Sequence, residues 1–392
     1  KGDWSSDVCS SDLSMSTGPL VLSQGLASYL VNYQHYCSEQ LVSASVPRLF
    51  AAKWMSTPSL RNALQSQPVD DKGANAAAIG QFLDVLRARQ NGQGGFGVWT
   101  ATPDADPFVS AYAMHVLIDA RERGIAVPKE MLDAGTQYLQ QLAANERLGT
   151  LDQLRQRAYA VYLLTRQGNV TTNSLAAVQK RLQDAFPNDW KSDLAAGWLA
   201  ASYQLLKQDK EAARLIAGPQ EVLERKPSRD EPYSYGYYFD PLTRDASVLY
   251  LLAKHFPDRA QALPPRVLDN LAGPIQHNRF NTLSSAMTIL ALDAYASQNA
   301  AGLDKLAIEE VRADDSAKDI SSAQGSVMRS GTWSAAASQL RFVNGSSLPA
   351  WQITSQTGYD RTAPTQAIKN GLEIIREYTD ASGKPLDKVT LG

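Results

Sequence analysis

Apolar residues recur every three or four positions from residue 18 onward, which is the spacing of an amphipathic α-helix. In the first such segment, one helical face carries Leu22, Leu26, Tyr29, Leu30 and Tyr33. Further segments of about 12 to 18 residues follow, and most of them end at Gly, Asn or Pro. They occupy residues 79–90, 107–124, 129–146, 151–168, 173–186, 193–208, 210–225, 241–256, 264–276 and 281–298. The pattern predicts a chain that is mainly α-helical up to about residue 305.

Five of these segments are rich in Ala and apolar on more than one face, which is typical of helices buried between other helices. They contain the stretches that begin at Ser110, Arg157, Leu194, Arg244 and Leu283. More polar helices lie between them, so a buried helix returns at intervals of about 40 to 50 residues. This alternation predicts helical hairpins arranged as a ring or as a solenoid, and a closed ring would be an α/α toroid.

The pattern changes near Ile308, where residues typical of β-strands become frequent. The sequence "NGSS" at Asn344 is a turn signal and predicts a hairpin. Farther on, Leu372, Ile374 and Tyr378 alternate with other residues before a second turn signal, "DASG". The chain stops where a further strand is expected. We therefore predict partial β-sandwich segments after the helices, as a piece of a larger protein.

The composition is that of a globular protein, because 44% of the 392 residues are hydrophobic and 20% are charged. The formal net charge of −2 argues against a nucleic-acid partner and against a polybasic membrane patch. No run of apolar residues is long enough to span a bilayer, so any membrane anchor is expected outside this chain.

Residues 1–14 differ in character from the rest of the chain. They are rich in Ser and Asp, show no periodicity and lack the apolar core of a signal peptide. We predict a disordered or foreign leader there. The leader contains Cys9, one of only two cysteines, which leaves Cys37 alone in the rest of the chain.

The candidate chemistry lies in the stretch "CSEQ", in which Gln40 follows Cys37 by three residues. A tight turn over this spacing brings the sulfur near the side-chain carboxamide, and attack with loss of ammonia gives an internal thioester. An amine or hydroxyl can then capture the acyl group covalently. Water must be kept away from such a bond, and the rings of Tyr33, His35 and Tyr36 are candidates for this shield. The spacing by itself also fits an ordinary buried thiol.

The surrounding sequence "NYQHYCSEQLVSASVP" resembles the thioester region of the α2-macroglobulin and complement family, whose local pattern is typically Y-P-x-G-C-x-E-Q. The stretches "RQNGQGGFGVW", "FVSAYAMHVLIDA", "RDASVLYLLA" and "NTLSSAMTILALDAYA" are similar to the thioester domain of its bacterial members. "GLEIIREYTDASGKPL" is similar to the opening of the macroglobulin-type β domain that follows. The resemblance covers the chain from about Thr17 to its end. The sequence departs from the pattern at Gln34, in place of Pro, and at Tyr36, in place of Gly.

The resemblance implies three domains after the leader. Residues 15–305 would form the thioester domain, with an α/α-toroid fold. Residues 306–368 would be a β segment of a CUB-like or macroglobulin-like domain. Residues 369–392 would begin a further macroglobulin-type β domain, which is truncated.

The resemblance also implies a function, that of a fragment of a broad-spectrum protease inhibitor of the bacterial periplasm. In such a protein a protease cleaves a bait region elsewhere, the inhibitor rearranges, and the thioester acylates a Lys of the protease. Cys37 and Gln40 take the bond-forming positions, and Glu39 takes a motif position outside the bond. The partners would be target proteases and the neighbouring macroglobulin domains of the parent protein. The acyl donor is consumed once, so we expect an inhibitor and not an enzyme.

Complement-type members of the family use a distant His that raises the reactivity of the thioester toward hydroxyls. None of the four histidines, His35, His115, His255 and His277, falls in a recognisable family match, so we expect reaction mainly with amines. His115 lies in an apolar segment and is predicted to be a core residue, and His255 and His277 are predicted at helix ends, as caps or on the surface. No Cys/His grouping has zinc spacing and no loop has the pattern of a calcium site, so we expect no metal and no cofactor.

Two other classes of protein fit parts of the sequence. The glycine-rich segment "QNGQGGFGVW" is similar to a repeat of terpene cyclases, and the Tyr-rich "EPYSYGYYFD" fits a sugar-stacking strip of an (α/α)-toroid glycosidase. Either enzyme would need paired acids facing a central cavity. As a structural alternative, the first segment would pin Phe96 and Trp99 against a helix and the second would cover the toroid mouth. The remaining class is a non-covalent binding module with an unmodified Cys37.

Overall fold

The computed structural model describes residues 10–49, 71–226, 238, 240–298, 302–321, 328–334, 336–357 and 377–386, with the single residues 366, 371 and 375. The chain divides into two compact units. The larger one is Ser11–Ser355, and the smaller one combines Lys1–Ser10 with Gln356–Gly392.

The described part of the larger unit contains thirteen α-helices. Their bounds are α1 Leu22–Val31, α2 Ser38–Leu49, α3 Asp71–Arg87, α4 Pro107–Glu122, α5 Lys129–Ala144, α6 Leu151–Arg166, α7 Thr172–Ala185, α8 Leu194–Leu205, α9 Asp209–Glu224, α10 Pro241–His255, α11 Pro257–Gln261, α12 Arg266–Gln276 and α13 Thr282–Gln298. None of the helices within these described ranges is long and apolar enough to cross a membrane.

Six of these helices form a closed inner ring. The order is α2, α4, α6, α8, α10 and α13, each packs against the next, and α13 packs back against α2. Small and apolar residues allow this close packing, as in α8, where Leu194 to Ser202 are all buried. The helices α1, α3, α5, α7, α9 and α12 lie outside the ring and pack against it. The predicted α/α toroid is therefore confirmed, and the open solenoid is not formed.

The ring helices begin at a common end of the toroid. Side-chain hydrogen bonds join the start of one ring helix to the start of the next, as between Arg155 of α6 and Asp193, the N-cap of α8 (2.6 and 2.9 Å). Asn281, before α13, donates to Asp240, the N-cap of α10 (2.7 Å). Because acidic and hydroxyl N-caps satisfy the free amide groups of the first turn, these residues fix where each helix begins.

Six strands accompany the helices in the described part of the chain. They are β1 Ser10–Ser16, β2 Leu306–Arg312, β3 Ala317–Asp319, β4 Arg329–Gly331, β5 Ala337–Asn344 and β6 Trp351–Thr357. One sheet has the order β4-β1-β6 and the other β3-β2-β5. Side chains of β1 and β2, among them Leu13, Met15 and Ile308, form a small apolar core.

Two predictions about the β region are wrong. The predicted leader extended to residue 14, but residues 10–14 belong to β1, and Leu13 of this strand is fully buried. The turn at Asn344 does not close a hairpin, because β5 pairs with β2 in one sheet and β6 lies beside β1 in the other. In the first case, pairing partners more than 300 residues away order a segment that has no local pattern of its own.

In the smaller unit, the "DASG" turn is present. Gly383 has a φ of 85°, which favours Gly, and the Leu386 amide donates to the carbonyl oxygen of Tyr378 (2.8 Å). Thr379 and Pro385 form an antiparallel bridge on either side of the turn. The predicted strand positions Leu372 and Ile374 lie outside the described residues.

Candidate functional site

Cys37 and Gln40 lie in the first turn of the ring helix α2, at the end of the toroid where the ring helices begin. The carbonyl oxygen of Cys37 accepts the hydrogen bond of the Leu41 amide (2.8 Å), so Cys37 holds the N-cap position. The Gln40 side chain folds back, and its Oε1 accepts a hydrogen bond from the Cys37 amide (3.2 Å). In a capping box the side chain of the third helical residue accepts from the N-cap amide in this way, while the N-cap side chain faces the amide of that third residue. The start of α2 thus brings the sulfur and the carboxamide into one turn.

The backbone at this turn does not need the Gly of the family pattern. Among the described residues other than Gly, a positive φ is found only at Lys207, Asn278 and Asp315. Tyr36 therefore precedes Cys37 without left-handed strain.

The Cys37 thiol is half-buried, and burial raises its pKa. The backbone amides of Gln40 and Glu39 and the guanidinium of Arg89 lower the pKa, whereas the charge of Glu39 raises it further. Burial is the largest of these effects, so the net pKa of the thiol lies above its ordinary value.

The three rings predicted as a shield lie in different environments. The hydroxyl oxygen of Tyr33 accepts a hydrogen bond from Nε2 of Gln40 (3.4 Å), and its ring packs edge-on against Tyr29 and His35, with centroids 5.4 and 5.6 Å apart. His35 is exposed, and 52% of Tyr36 is exposed. Of the three, Tyr33 is thus the ring that contacts the predicted acyl group.

A groove of about 490 Å3 lies between α1, α2 and α3. Tyr33 and Tyr36 form part of its wall, together with Leu30, Arg48 and Phe82. Tyr33 therefore contacts the Gln40 carboxamide and also lines this groove.

Glu39 points into the ring and connects three of its helices. Ser43, one turn later in α2, donates to Oε1 of Glu39 (2.7 Å), and Thr282 of α13 donates to both carboxylate oxygens (2.9 and 3.0 Å). The Ser43 hydroxyl also lies 2.9 Å from that of Tyr112 in α4. Burial raises the pKa of Glu39, and the two hydroxyl donors partly oppose this shift. Thr282 and Tyr112 could not be assigned to the site from the sequence.

The glycine-rich segment before α4 holds the residue next to Cys37. The Ser38 amide donates to the carbonyl oxygen of Val98 (2.7 Å) and the Ser38 hydroxyl to that of Gly97 (2.6 Å). A Cβ atom on Gly97 would lie 1.9 Å from the Thr100 carbonyl oxygen, so this position requires Gly. Ser38 and Gly97 were missed in the sequence, because the contact joins segments 59 residues apart.

The glycine-rich segment was predicted to hold the rings of Phe96 and Trp99 against a helix, and burial agrees with this for one of the two rings. Phe96 is fully buried, but 62% of Trp99 is exposed. In the Tyr-rich segment, Tyr238 is described, and its ring stacks on Phe108 with centroids 4.2 Å apart while its hydroxyl donates to Asp106 (3.3 Å). The other aromatic residues of that segment lie outside the described residues.

The opposite end of the ring carries a buried ionic network. Asp119 of α4 pairs with Arg166 of α6 and with Lys254 of α10 (3.2 Å). Burial would raise the pKa of Asp119, but Arg166, His115 and Lys254 hold it well below its ordinary value. His115 is fully buried, as predicted, and burial lowers its pKa to about 3.

His255 and His277 lie at helix ends, as predicted, and His277 is exposed. His255, the last residue of α10, departs from the prediction in being partly buried beside the Tyr162 hydroxyl (2.9 Å). Within the described ranges, no three His, Cys, Asp or Glu side chains are grouped so as to hold a metal ion.

Comparison with known proteins identifies the class to which this fold and site belong. No protein-family model matches the chain. It is 41% identical over 381 residues to an α2-macroglobulin homolog of Yersinia pestis, covering 96% of this chain and 18% of the relative. It is 35% identical over 386 residues to the α2-macroglobulin of Pasteurella multocida, covering 96% of this chain and 20% of the relative.

Solved structures of bacterial α2-macroglobulins share the fold. One spans the Escherichia coli protein from domain MG7 to the C-terminus; it matches with a TM-score of 0.68 at 21% identity, over 98% of this chain and 58% of that chain. Salmonella α2-macroglobulin reacted with methylamine matches with a TM-score of 0.66 at 21% identity, over 98% of this chain and 24% of that chain. The Escherichia coli protein activated by porcine elastase matches with a TM-score of 0.54 at 21% identity, over 97% of this chain and 32% of that chain.

The chain therefore belongs to the bacterial α2-macroglobulin family. It spans about a fifth of the length of the curated relatives that it matches.

Proposed function

We propose that Cys37 and Gln40 form an internal thioester, and that this bond links the protein covalently to an attacking protease. In the forming step, Sγ of Cys37 attacks Cδ of Gln40 and ammonia leaves. In the trapping step, a Lys amine of the protease attacks the same carbon, the carbon–sulfur bond breaks, and the sulfur takes up a proton as the amide forms. One bond is consumed per event, so the protein acts as an inhibitor and not as a turnover enzyme.

The observation that carries this proposal is the capping arrangement of the first turn of α2. The Gln40 side chain is turned toward Cys37 by a hydrogen bond from the Cys37 amide to Oε1 (3.2 Å). This amide would polarise the carbonyl in both steps, because negative charge collects on that oxygen when the carbon is attacked. The Tyr33 hydroxyl covers the nitrogen side of the same group.

The setting of the reaction is proposed from the relatives. They are α2-macroglobulins, and the structure of one of them was obtained after activation by elastase. We infer a periplasmic protease trap in which the bait region, the neighbouring macroglobulin domains and any inner-membrane anchor belong to the parent protein outside this chain. Lysine amines of proteases would be the acceptors.

The geometry does not favour a toroid enzyme. A glycosidase needs two free carboxyl groups on either side of its substrate. At the end of the ring away from Cys37, the buried Asp119 is instead engaged by Arg166 and Lys254, and Glu122 contacts the same two cations (2.6 and 2.8 Å). These acids are neutralised within the ring.

Intact-mass measurement tests the proposal. The wild-type chain should be lighter than its sequence by one ammonia, and methylamine should then add its whole mass. Cys37→Ala should have the full mass of its sequence and gain nothing from methylamine, while the control Cys9→Ser should behave as wild type. A freshly prepared wild-type chain with the full amide mass and no methylamine adduct would exclude the covalent function and leave the fold unaffected.

A further inference from the structure

The residue between the two reacting positions is held by a clamp that includes a cation. Ser38 is fixed by the carbonyl oxygens of Val98 and Gly97 (2.7 and 2.6 Å). Nη1 of Arg89 donates to the same Ser38 hydroxyl (3.2 Å), and the Gly97 amide donates to the Arg89 carbonyl oxygen (3.1 Å). Arg89, Gly97 and Ser38 thus close a small cycle of hydrogen bonds directly beside Cys37.

Arg89 brings a positive charge to the start of α2. No carboxylate in the described ranges lies within ion-pair distance of its guanidinium. Burial lowers the pKa of Arg89, and the Cys37 sulfur opposes this shift by favouring the charged guanidinium. In return, the guanidinium lowers the pKa of Cys37. Because Ser38 directly follows Cys37, the hydrogen bond from Arg89 to the Ser38 hydroxyl holds this cation close to the thiol.

Both steps of thioester chemistry place negative charge on that sulfur. When the bond forms, the thiolate is the attacking group, and the thiol proton leaves with the expelled ammonia. When an amine opens the bond, the carbon–sulfur electron pair stays on the sulfur, which later takes up the proton that the amine has lost. A fixed cation lowers the energy of the thiolate in each case.

We propose that Arg89 is a positioning residue of this site, which holds the first turn of α2 through Ser38 and stabilises the Cys37 thiolate as attacking and as leaving group. For the thioester steps this inference rests on the proposed function, but the stabilisation of the free thiolate does not. The residue that stabilises the thiolate thus lies just after α3, outside the ring.

The test compares Arg89→Gln and Arg89→Lys with Arg87→Gln in the full chain carrying Cys9→Ser, so that Cys37 is the single cysteine. Arg87 is an exposed cation two residues before Arg89 and serves as the matched control. Three quantities are measured: the fraction with thioester from intact mass, the rate of methylamine incorporation, and the pH dependence of iodoacetamide alkylation of Cys37 after methylamine treatment. Circular dichroism establishes that each variant is folded.

Arg89→Gln should shift the alkylation profile of Cys37 to higher pH and slow methylamine incorporation roughly three- to tenfold, as expected for the loss of one nearby opposite charge. Arg89→Lys should recover most of both effects, and Arg87→Gln should match the parent. A folded Arg89→Gln protein with an unchanged alkylation profile would overturn the inference. If the parent chain never contains a thioester, the proposed function fails, but the alkylation profiles still decide the role of Arg89.

Discussion

Substitution of Glu39 by Gln and by Ala separates the hydrogen bonds of this side chain from its charge. The carboxylate accepts hydrogen bonds from Ser43 and Thr282, and Ser43 retains Tyr112 as a second partner when Glu39 is removed. In Glu39→Ala the buried Thr282 hydroxyl loses its acceptor and a small cavity remains, so the free energy of unfolding should fall by about 2–4 kcal/mol. Glu39→Gln keeps an acceptor oxygen and should lose no more than about 1 kcal/mol at neutral pH.

The raised pKa of Glu39 determines how the stability of the wild-type protein changes with pH. Burial raises the pKa of Glu39, so the unfolded state ionises first as the pH rises above the ordinary value of about 4.3. Ionisation therefore favours unfolding, and the stabilising effect of the protonated group is lost as the pH rises through the folded-state pKa. Glu39→Gln lacks this loss, so its stability relative to wild type should improve across that window and stay constant above it.

Urea unfolding followed by far-UV circular dichroism at several pH values measures both effects. Glu130→Gln is the matched control, because Glu130 also occupies the second position of its helix, α5, but is exposed. It should change stability by less than about 1 kcal/mol. Equal destabilisation by Gln and Ala at position 39, or a difference from wild type that does not vary with pH, would refute the role given to this carboxylate.

Three further outcomes are expected. Asp119→Asn leaves the buried Arg166 with Glu122 as its carboxylate partner and should cost about 3 kcal/mol in thermal or urea unfolding; an unchanged midpoint would contradict the ionic network. Gly97→Ala forces the clamp apart and should lower both stability and thioester content measured by mass, whereas Gly92→Ala, where a Cβ meets nothing, should do neither. Burial lowers the pKa of His115 to about 3, so the neutral imidazole stabilises the folded state at a pH above the ordinary His pKa. This stabilisation should be lost as the pH falls toward the folded-state pKa, and the melting temperature should therefore decline less in His115→Asn.

The ring could be predicted largely from the sequence, because buried helices reveal themselves by Ala-rich, all-round apolar faces. Five of the six ring helices were recognised in this way. The sixth, α2, was not, because Ser38–Leu49 is rich in Ser and contains Pro47. Its polar residues are buried through contacts such as that of Glu39 with Thr282, which is 243 residues away. Periodicity carries no information about such pairs.

The same limit applies to the site and to the β region. Cys37, Gln40 and Tyr33 were found because they are close in sequence, within one turn and the segment before it. The clamp at Ser38 depends on Gly97, and β1 depends on β4. Because these partners are far apart in the sequence, neither feature could be predicted without the folded structure. Turn chemistry at Asn344 correctly indicated a bend after β5, where the Asn344 side chain accepts from the Ser346 amide, but it did not specify which strands would pair.

The most direct test of the acyl–sulfur bond is peptide mapping by mass spectrometry after methylamine treatment. We predict that the peptide containing Gln40 carries a methylamide on this side chain, while Cys37 becomes newly reactive toward an alkylating reagent. An unmodified Gln40 carboxamide, together with a Cys37 thiol that is equally reactive before and after treatment, would contradict the presence of this bond.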